Sequence, residues 1–301
     1  MKVHFIGIGG IGLSALARFL KHSGHDVCGS DIKRTSITSD LENEGINVLV
    51  PQKKENISKD VDLVIYSAAV TDENEELIEA RLNQIRTLSR KEALPIILGG
   101  TKNYCVAGAH GKSTTTAILA SILNSSALIG AISKDFGSNF RYVDDVVAFE
   151  ADESDASFLL SNPYCAIVTN AEPEHMEYYH YDYDKFYESY EKFLDLAPCR
   201  IINAEDKDIQ KLNIKDAHKL YPSIDIKNLC FTLKENEPYT RFDLKEYGTF
   251  EVWGFGFHIA INASLAIMAA LHELDIETIR RNLLSYKGIK KRFDVLQANE
   301  S

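Results

Sequence analysis

Gly108-Ala109-His110-Gly111-Lys112-Ser113-Thr114-Thr115 lies between a short apolar run, Tyr104-Cys105-Val106-Ala107, and a stretch from Ser113 to Leu123 whose residues Ala117, Ile118, Ala120, Ile122 and Leu123 recur with helical spacing. The pattern predicts strand, glycine turn and helix. At such a junction the free N–H groups of the helix start face an anion, and glycine lets the main chain approach it without a Cβ in the way. Lys112 adds a mobile positive charge for the outer phosphates, and the Ser113 or Thr114 hydroxyl can ligate Mg²⁺. The motif is shorter than the usual phosphate loop. Val106 stands where the first glycine belongs, leaving Gly-x-x-Gly-Lys-Ser, so the flanking strand and helix carry the reading more than the tripeptide does.

Two later segments extend the site. Val146-Val147-Ala148-Phe149 reads as a strand that delivers Glu150 at its end, with Asp152, Glu153 and Asp155 following. Hard oxygen ligands at a strand terminus beside a phosphate loop can fix Mg²⁺ on nucleotide phosphates; the plainer alternative is a solvated acidic loop. Cys165 to Asn170 reads as a second strand that stops just before Glu172-Pro173-Glu174-His175, a further donor set at the same sheet edge. The three segments together point to phosphoryl transfer. In the tyrosine-rich stretch beyond, Phe186, Tyr190, Phe193 and Leu194 have the spacing of a buried helix face, which favours core over base stacking. Cys199 to Asn203 reads as another strand, and Trp253 to His258 leads into a helix expected over about 260–274.

The amino-terminal third carries a second glycine turn. Val3-His4-Phe5-Ile6 reads as a buried strand and runs into Gly7-Ile8-Gly9-Gly10-Ile11-Gly12, followed by a helical pattern through Leu16, Phe19 and Leu20. A second strand passes through Val27 and Cys28 to Asp31, about 20 residues past the glycines, as in a dinucleotide fingerprint. The glycines would seat a pyrophosphate on the helix start, and Asp31 could accept from a ribose hydroxyl. A pyrophosphate is the same group in NAD, FAD and UDP-sugars, so the fingerprint alone leaves the nucleotide open. Val61 to Tyr66 reads as a further strand ending on Ser67-Ala68-Ala69-Val70, small residues that leave room for a ligand. Ile85 to Arg90 closes the domain, and Pro95 to Gly100 reads as its exit. The expected fold class is α/β, with a Rossmann-like parallel-sheet domain over 1–98 and a P-loop-type central ATPase domain over 99–294.

Composition narrows the partners. The 301 residues suit two domains with a core each, and 45% hydrophobic against 26% charged residues is ordinary for a folded, non-membrane chain. A formal charge of −11 opposes nucleic acid and anionic membrane as partners. Five scattered cysteines, with no Cys-x-x-Cys pair, indicate neither a zinc motif nor a disulfide framework and fit a reducing cytoplasmic setting. No run of 18 apolar residues predicts membrane insertion, and the first residues do not form an export signal.

In order and wording these motifs resemble the Mur ligases of peptidoglycan synthesis. The resemblance is carried by His4 to Gly12, Gly29-Ser30-Asp31, Gly108 to Thr116, the string Glu150-Ala151-Asp152-Glu153-Ser154-Asp155-Ala156-Ser157-Phe158, Thr169 to Met176, and Gly288 to Asp294. It implies that the first glycine turn holds the UDP of a sugar nucleotide, with Gly9, Gly10, Ile11, Gly12, Asp31 and Ser67 at that site. It places Gly108, Ala109, His110, Gly111, Lys112, Ser113 and Thr114 on ATP phosphates, Asn262 at adenine and Arg292 near the nucleotide. Lys112, Glu150 and His175 become the catalytic set, and Ser113, Glu150 and His175 the Mg²⁺ ligands. The implied partners are UDP-N-acetylmuramate, ATP and L-alanine, joined through an acyl phosphate on the lactyl carboxylate.

Departures from the family pattern are visible as well. His258 is followed by Ile259 rather than Asn, and Glu174 and Glu177 flank His175 where aspartates are usual. The family has a third domain, and this chain ends seven residues after Asp294, so 295–301 reads as its beginning. The expectation is a cut near a domain boundary that leaves nucleotide and UDP-sugar binding but no appreciable turnover. Two alternatives are a recycling ligase that attaches murein peptide to the same sugar nucleotide and a nicotinamide-dependent oxidoreductase in which the later glycine loop is structural.

Overall fold

The chain divides into two units, Met1–Gly100 and Thr101–Ser301, and a computed structural model describes residues 1–290 of it. Arg292 and the segment 295–301 therefore lie outside the described residues.

The first unit alternates strand and helix: β1 (Lys2–Ile6), α1 (Ile11–His22), β2 (Asp26–Ser30), α2 (Ser36–Asn43), β3 (Asn47–Leu49), β4 (Leu63–Tyr66), α3 (Glu75–Leu82), β5 (Arg86–Ser89) and α4 (Arg90–Ile97). The strands pair in parallel in the order β3-β2-β1-β4-β5. The order reverses direction between β1 and β4, the place where open parallel sheets leave a crevice. Pro95, expected in the exit loop, lies inside α4. A capping box nucleates that helix, Ser89 Oγ accepting from Glu92 N–H and Glu92 Oε2 from Ser89 N–H, and burial of Ala93, Leu94 and Ile97 outweighs the one helix bond that proline removes.

A polar node is buried in this unit. Glu76, on α3, accepts from the Ser30 hydroxyl, from Asn56 Nδ2 at 2.6 Å and from the Lys53 amide at 3.1 Å, and pairs with His4 Nε2 at 3.2 Å. Burial pushes the His4 imidazole down, but its contacts with Cys28 and Glu76 more than reverse this and raise it to about 9. For Glu76, burial opposes ionisation, and the bonds from His4, Ser30 and Asn56 outweigh it to hold the carboxyl below its usual range.

The second unit contains β6 (Lys102–Ala107), α5 (Lys112–Leu123), β7 (Ser126–Leu128), β8 (Phe140–Arg141), β9 (Val146–Glu150), β10 (Pro163–Val168), α6 (Tyr183–Asp195), β11 (Cys199–Asn203), β12 (His218–Leu220), α7 (Pro222–Asp225), β13 (Ile226–Lys234), β14 (Glu237–Leu244), β15 (Gly248–Trp253), α8 (Phe257–Ala270) and α9 (Ile276–Leu283). Seven strands form one sheet, β12-β11-β10-β6-β9-β7-β8, parallel except for the β7–β8 pair. β13, β14 and β15 make a separate antiparallel sheet that the sequence reading did not anticipate. Its buried side chains Phe242, Leu244, Phe250 and Val252 share a core with Ala263, Ala266 and Ile267 of α8 and Ile118 of α5.

Helix α8 starts and stops earlier than the 260–274 expected from sequence. Its sides are apolar nearly all round because it is buried against both α5 and the antiparallel sheet, so no polar face marks its ends. On α6 the expected buried face is present: Phe186, Tyr190, Phe193 and Leu194 are all buried. No helix among the described residues is long and apolar enough to cross a membrane.

Candidate functional site

In the second unit, β6 lies between β10 and β9, and the loop at its carboxyl end opens at the point where chain connections diverge to either side. The loop is shaped by two glycines. Gly108 has φ +133°, and a Cβ there would come within 2.7 Å of the Asn170 carbonyl; Gly111 has φ +87°, and a Cβ there would meet Asn262 Oδ1 at 2.7 Å. No side chain caps α5 at Gly111, and a helix start of this kind turns its first N–H groups toward an anion.

Capping separates the helices into two kinds. Among the described helices of eight or more residues, α2, α3, α4, α6 and α9 donate a first-turn N–H to the side chains of Thr35, Asn74, Ser89, Asp182 and Asp275 at their start. The other three, α1, α5 and α8, begin on Gly10, Gly111 and Gly256 with no side-chain cap; the starts of all three border a cleft, as do the capped starts of α2 and α3 at Thr35 and Asn74.

Lys112 is folded back over its own loop. Its Nζ donates to Gly108 O and to Glu153 Oε1, both at 2.7 Å. Glu153 is 3% exposed, and burial pushes its carboxyl up against the opposing charge of Lys112. Its second oxygen, Oε2, is buried without a hydrogen-bond partner among the described residues. At the end of β9, Glu150 accepts from Ser113 Oγ at 3.1 Å and from Gly130 N–H at 2.7 Å. The expected pair of hard oxygen donors, Ser113 and Glu150, therefore meets at the helix start, which suits a divalent cation on a phosphate.

β10 ends at Val168, two residues earlier than the reading from sequence. Thr169 and Asn170 leave the strand to grip the loop. Thr169 Oγ1 and Asn170 Nδ2 donate to His110 O at 2.6 and 2.7 Å, and His110 N–H donates to Asn170 Oδ1 at 3.0 Å. His110 Nε2 stands 3.6 Å from carboxylate oxygens of both Glu172 and Glu174. His175 is exposed, at φ +52°, and is not among the residues lining the cleft. The imidazole that the structure places with the Glu172 and Glu174 carboxylates is thus His110.

A cleft of about 620 Å³ runs from this loop to the start of α8. His110, Gly111, Thr114 and Asn262 line it, as expected of a nucleotide site, together with Asn203, Asp206, Trp253, Phe255 and His258. Gly108, Ala109, Lys112 and Ser113 belong to the loop without lining the cleft. The sequence reading missed Glu153 as the lysine's partner and Thr169 and Asn170 as the clamp. A signal existed, since both polar residues directly follow an apolar strand of the central sheet. Trp253 and Phe255 were legible only as the approach to a helix.

The first unit has its own cleft of about 590 Å³ at the carboxyl ends of β1, β2 and β4. Gly7, Gly9, Gly10, Asp31 and Ser67 line it, and Lys33 brings a cation that the sequence reading did not single out. Ile11 and Gly12 sit in the first turn of α1 and are not part of the lining. Asp31 is engaged locally, with Oδ2 accepting from Gly9 N–H and Oδ1 from Ile32 N–H, each at 2.8 Å.

Two parallel-sheet units, each opening a glycine turn and an uncapped helix at its crevice, define a protein of nucleotide-binding α/β build. Sequence comparison makes the class specific. The Mur ligase family catalytic domain matches residues 2–101 and the Mur ligase middle domain matches residues 106–270. The chain is 58% identical to the UDP-N-acetylmuramate–L-alanine ligase of Campylobacter curvus, over 100% of this chain and 69% of that protein. It is 50% identical to the ligase of the same name from Helicobacter pylori strain P12, over 99% of this chain and 66% of that one. The solved UDP-N-acetylmuramate–alanine ligase of Thermotoga maritima superposes with a TM-score of 0.85 at 29% identity, covering 99% of this chain and 71% of that chain. The chain belongs to the Mur ligase family.

Proposed function

We propose that this chain carries the sugar-nucleotide and ATP sites of an ATP-dependent, amide-forming ligase that joins L-alanine to the lactyl carboxylate of UDP-N-acetylmuramate. One observation carries the reading. At the start of α5, which no side chain caps, Ser113 meets Glu150 and Lys112 rests on its own loop and Glu153, in a chain of Mur ligase sequence.

A carboxylate resists attack by an amine, and moving the γ-phosphoryl of ATP onto it creates a leaving group that the amine of L-alanine displaces. The residues supply positive charge and position. The amides of Gly111 to Ser113 face the phosphates, and Lys112 moves from Glu153 to the outer phosphates when ATP enters. The Ser113 hydroxyl and Glu150 carboxylate would be the donors for Mg²⁺. Bound Mg²⁺ would neutralise phosphate charge as one oxygen approaches another. Asn262, which lines the cleft, meets the adenine side of the nucleotide. In the first unit, the α1 start and Lys33 receive the pyrophosphate of the sugar nucleotide, with Asp31 and Ser67 at the rim.

Trp253, the single tryptophan, lines the ATP cleft and makes the test direct. Mg²⁺–ATP shifts its fluorescence, and calorimetry shows a separate, saturable UDP-N-acetylmuramate site that Lys112→Ala leaves intact. Tight NADH binding with no response to the sugar nucleotide would overturn the proposal in favour of an oxidoreductase.

A further inference from the structure

The amino-terminal edge of the seven-stranded sheet, opposite the phosphate loop, gathers sulfur and imidazole donors that the ligase chemistry does not use. Cys165 and Cys199 are register partners on β10 and β11, and Cys165 Sγ donates to Cys199 Sγ at 3.1 Å. His218 is the first residue of β12, and His272 lies two residues past the end of α8. Cys199 Sγ is 3.4 Å from His272 Nε2, and the rings of His218 and His272 meet edge to face with centroids 5.1 Å apart. One ligand atom from each of Cys199, His218 and His272 lies within 4.8 Å of the other two; the thiol is buried and both imidazoles are exposed.

One edge, Cys199 Sγ to His272 Nε2, already has the length of an edge of a tetrahedral site, and the others, at no more than 4.8 Å, close to it by rotation of the exposed His218 ring. Zn–S bonds of about 2.3 Å and Zn–N bonds of about 2.0–2.1 Å put neighbouring corners roughly 3.3–3.6 Å apart. A thiolate with two imidazoles suits a borderline or soft cation rather than Mg²⁺. The nearby Lys102 ammonium does not dominate the local charge, because Glu273 Oε1 accepts from it at 2.5 Å. That same oxygen accepts from Tyr104 Oη at 2.6 Å, which fixes the carboxylate beside His272.

We propose that Cys199, His218 and His272 form a binding site for Zn²⁺ or a cation of the same class, with Cys165 hydrogen-bonded to the ligating sulfur and one coordination position open to water. Binding takes Cys199 as the thiolate, its proton passing to solvent, and both imidazoles as neutral donors. The Cys165 S–H holds the ligating sulfur in direction, as outer-shell donors do. The site ties β11, β12 and the segment after α8 at one edge of the sheet. β11 and α8 also supply the cleft wall at their other ends, through Asn203 on the strand and His258 and Asn262 on the helix. The bound ion is therefore a staple for two elements that frame the nucleotide site.

Co²⁺ is the probe. Added to the reduced, metal-free chain, it is expected to bind one equivalent with a sulfur-to-cobalt charge-transfer band, and Zn²⁺ should abolish that band by displacement. Cys199→Ser removes the band; His218→Ala and His272→Ala, at exposed rings, weaken binding at least tenfold while circular dichroism stays unchanged. Cys230→Ser, at the exposed thiol on β13, leaves the titration as it was. The proposal is overturned if wild-type chain gives no such band, if the band survives both histidine variants at unchanged affinity, or if it disappears with Cys230.

Discussion

The two glycine turns of this molecule share strand, turn and uncapped helix, yet they are held differently. In the first unit the turn is fastened by an acid, Asp31 on Gly9 N–H, and the cleft cation, Lys33, comes from the segment after β2. In the second unit the turn carries its own cation, with Lys112 resting on buried Glu153 and the loop backbone gripped by Thr169 and Asn170. A diphosphate that only has to be bound is served by helix amides and a peripheral charge. A phosphoryl group that has to be transferred needs a mobile charge at the loop itself.

The contrast breaks most severely at Gly108. Gly108→Ala combines backbone strain of about 1–3 kcal/mol with a clash on Asn170 of similar size, so the second unit should lose roughly 2–6 kcal/mol. Denaturant unfolding followed by Trp253 fluorescence reads this, and UDP-N-acetylmuramate binding to the first unit should stay within error. An unshifted Trp253 transition would show that the loop relaxes freely.

Lys112→Ala comes next. Loss of a charged hydrogen bond to phosphate, worth roughly 1.5–3 kcal/mol, should weaken ATP about ten- to a hundredfold without touching the sugar nucleotide. An unchanged ATP titration would remove the lysine from the site and erase the difference between the two turns.

Asp31→Ala sharpens the other side. Without its acceptor the Gly9 amide loses its fixed direction, and UDP-N-acetylmuramate affinity should fall about five- to thirtyfold, equivalent to roughly 1–2 kcal/mol, while ATP binding is unaffected. Equal losses for both ligands would mean that the turns are not independent.

A last contrast is a pH dependence confined to the first unit, spread over more than two pH units rather than tied to one substitution. The pKa of His4 is raised from 6.5 to about 9, so its stabilisation is complete below pH 6.5 and is lost as pH rises through 9. The carboxyl of Glu76 is depressed below 4.5, so its contribution is present above that value and is lost as pH falls through the folded-state value. From pH 6.5 to 9, first-unit stability should fall with a slope of at most ~1.4 kcal/mol per pH unit. Hydrogen exchange of β1 amides against pH measures it, and a His4→Gln variant with the same slope would exclude this imidazole as the cause.

Legibility followed locality. Both turns, their strands and the α6 face could be read because each is a run of neighbouring residues with period-two or helical spacing. Pro95 misled because proline marks a boundary only when burial does not favour continuing the helix, and Ala93, Leu94 and Ile97 favour it. The antiparallel sheet escaped because β13 has mostly exposed residues and lacks a clean apolar alternation. His110 rather than His175 stands with Glu172 and Glu174 because a reversing loop, not sequence proximity, decides which imidazole faces the carboxylates.

By itself the sequence determined that two strand–glycine–helix junctions exist, that one carries a lysine and that acidic donors end neighbouring strands. Local backbone preference and burial periodicity are written into adjacent residues. Only the tertiary structure decided that Glu153 holds Lys112, that Thr169 and Asn170 hold the loop, and that Cys199, His218 and His272 come together. Those meetings depend on which strands become neighbours in the sheet, and that order is set by long-range packing that no short stretch of chain encodes.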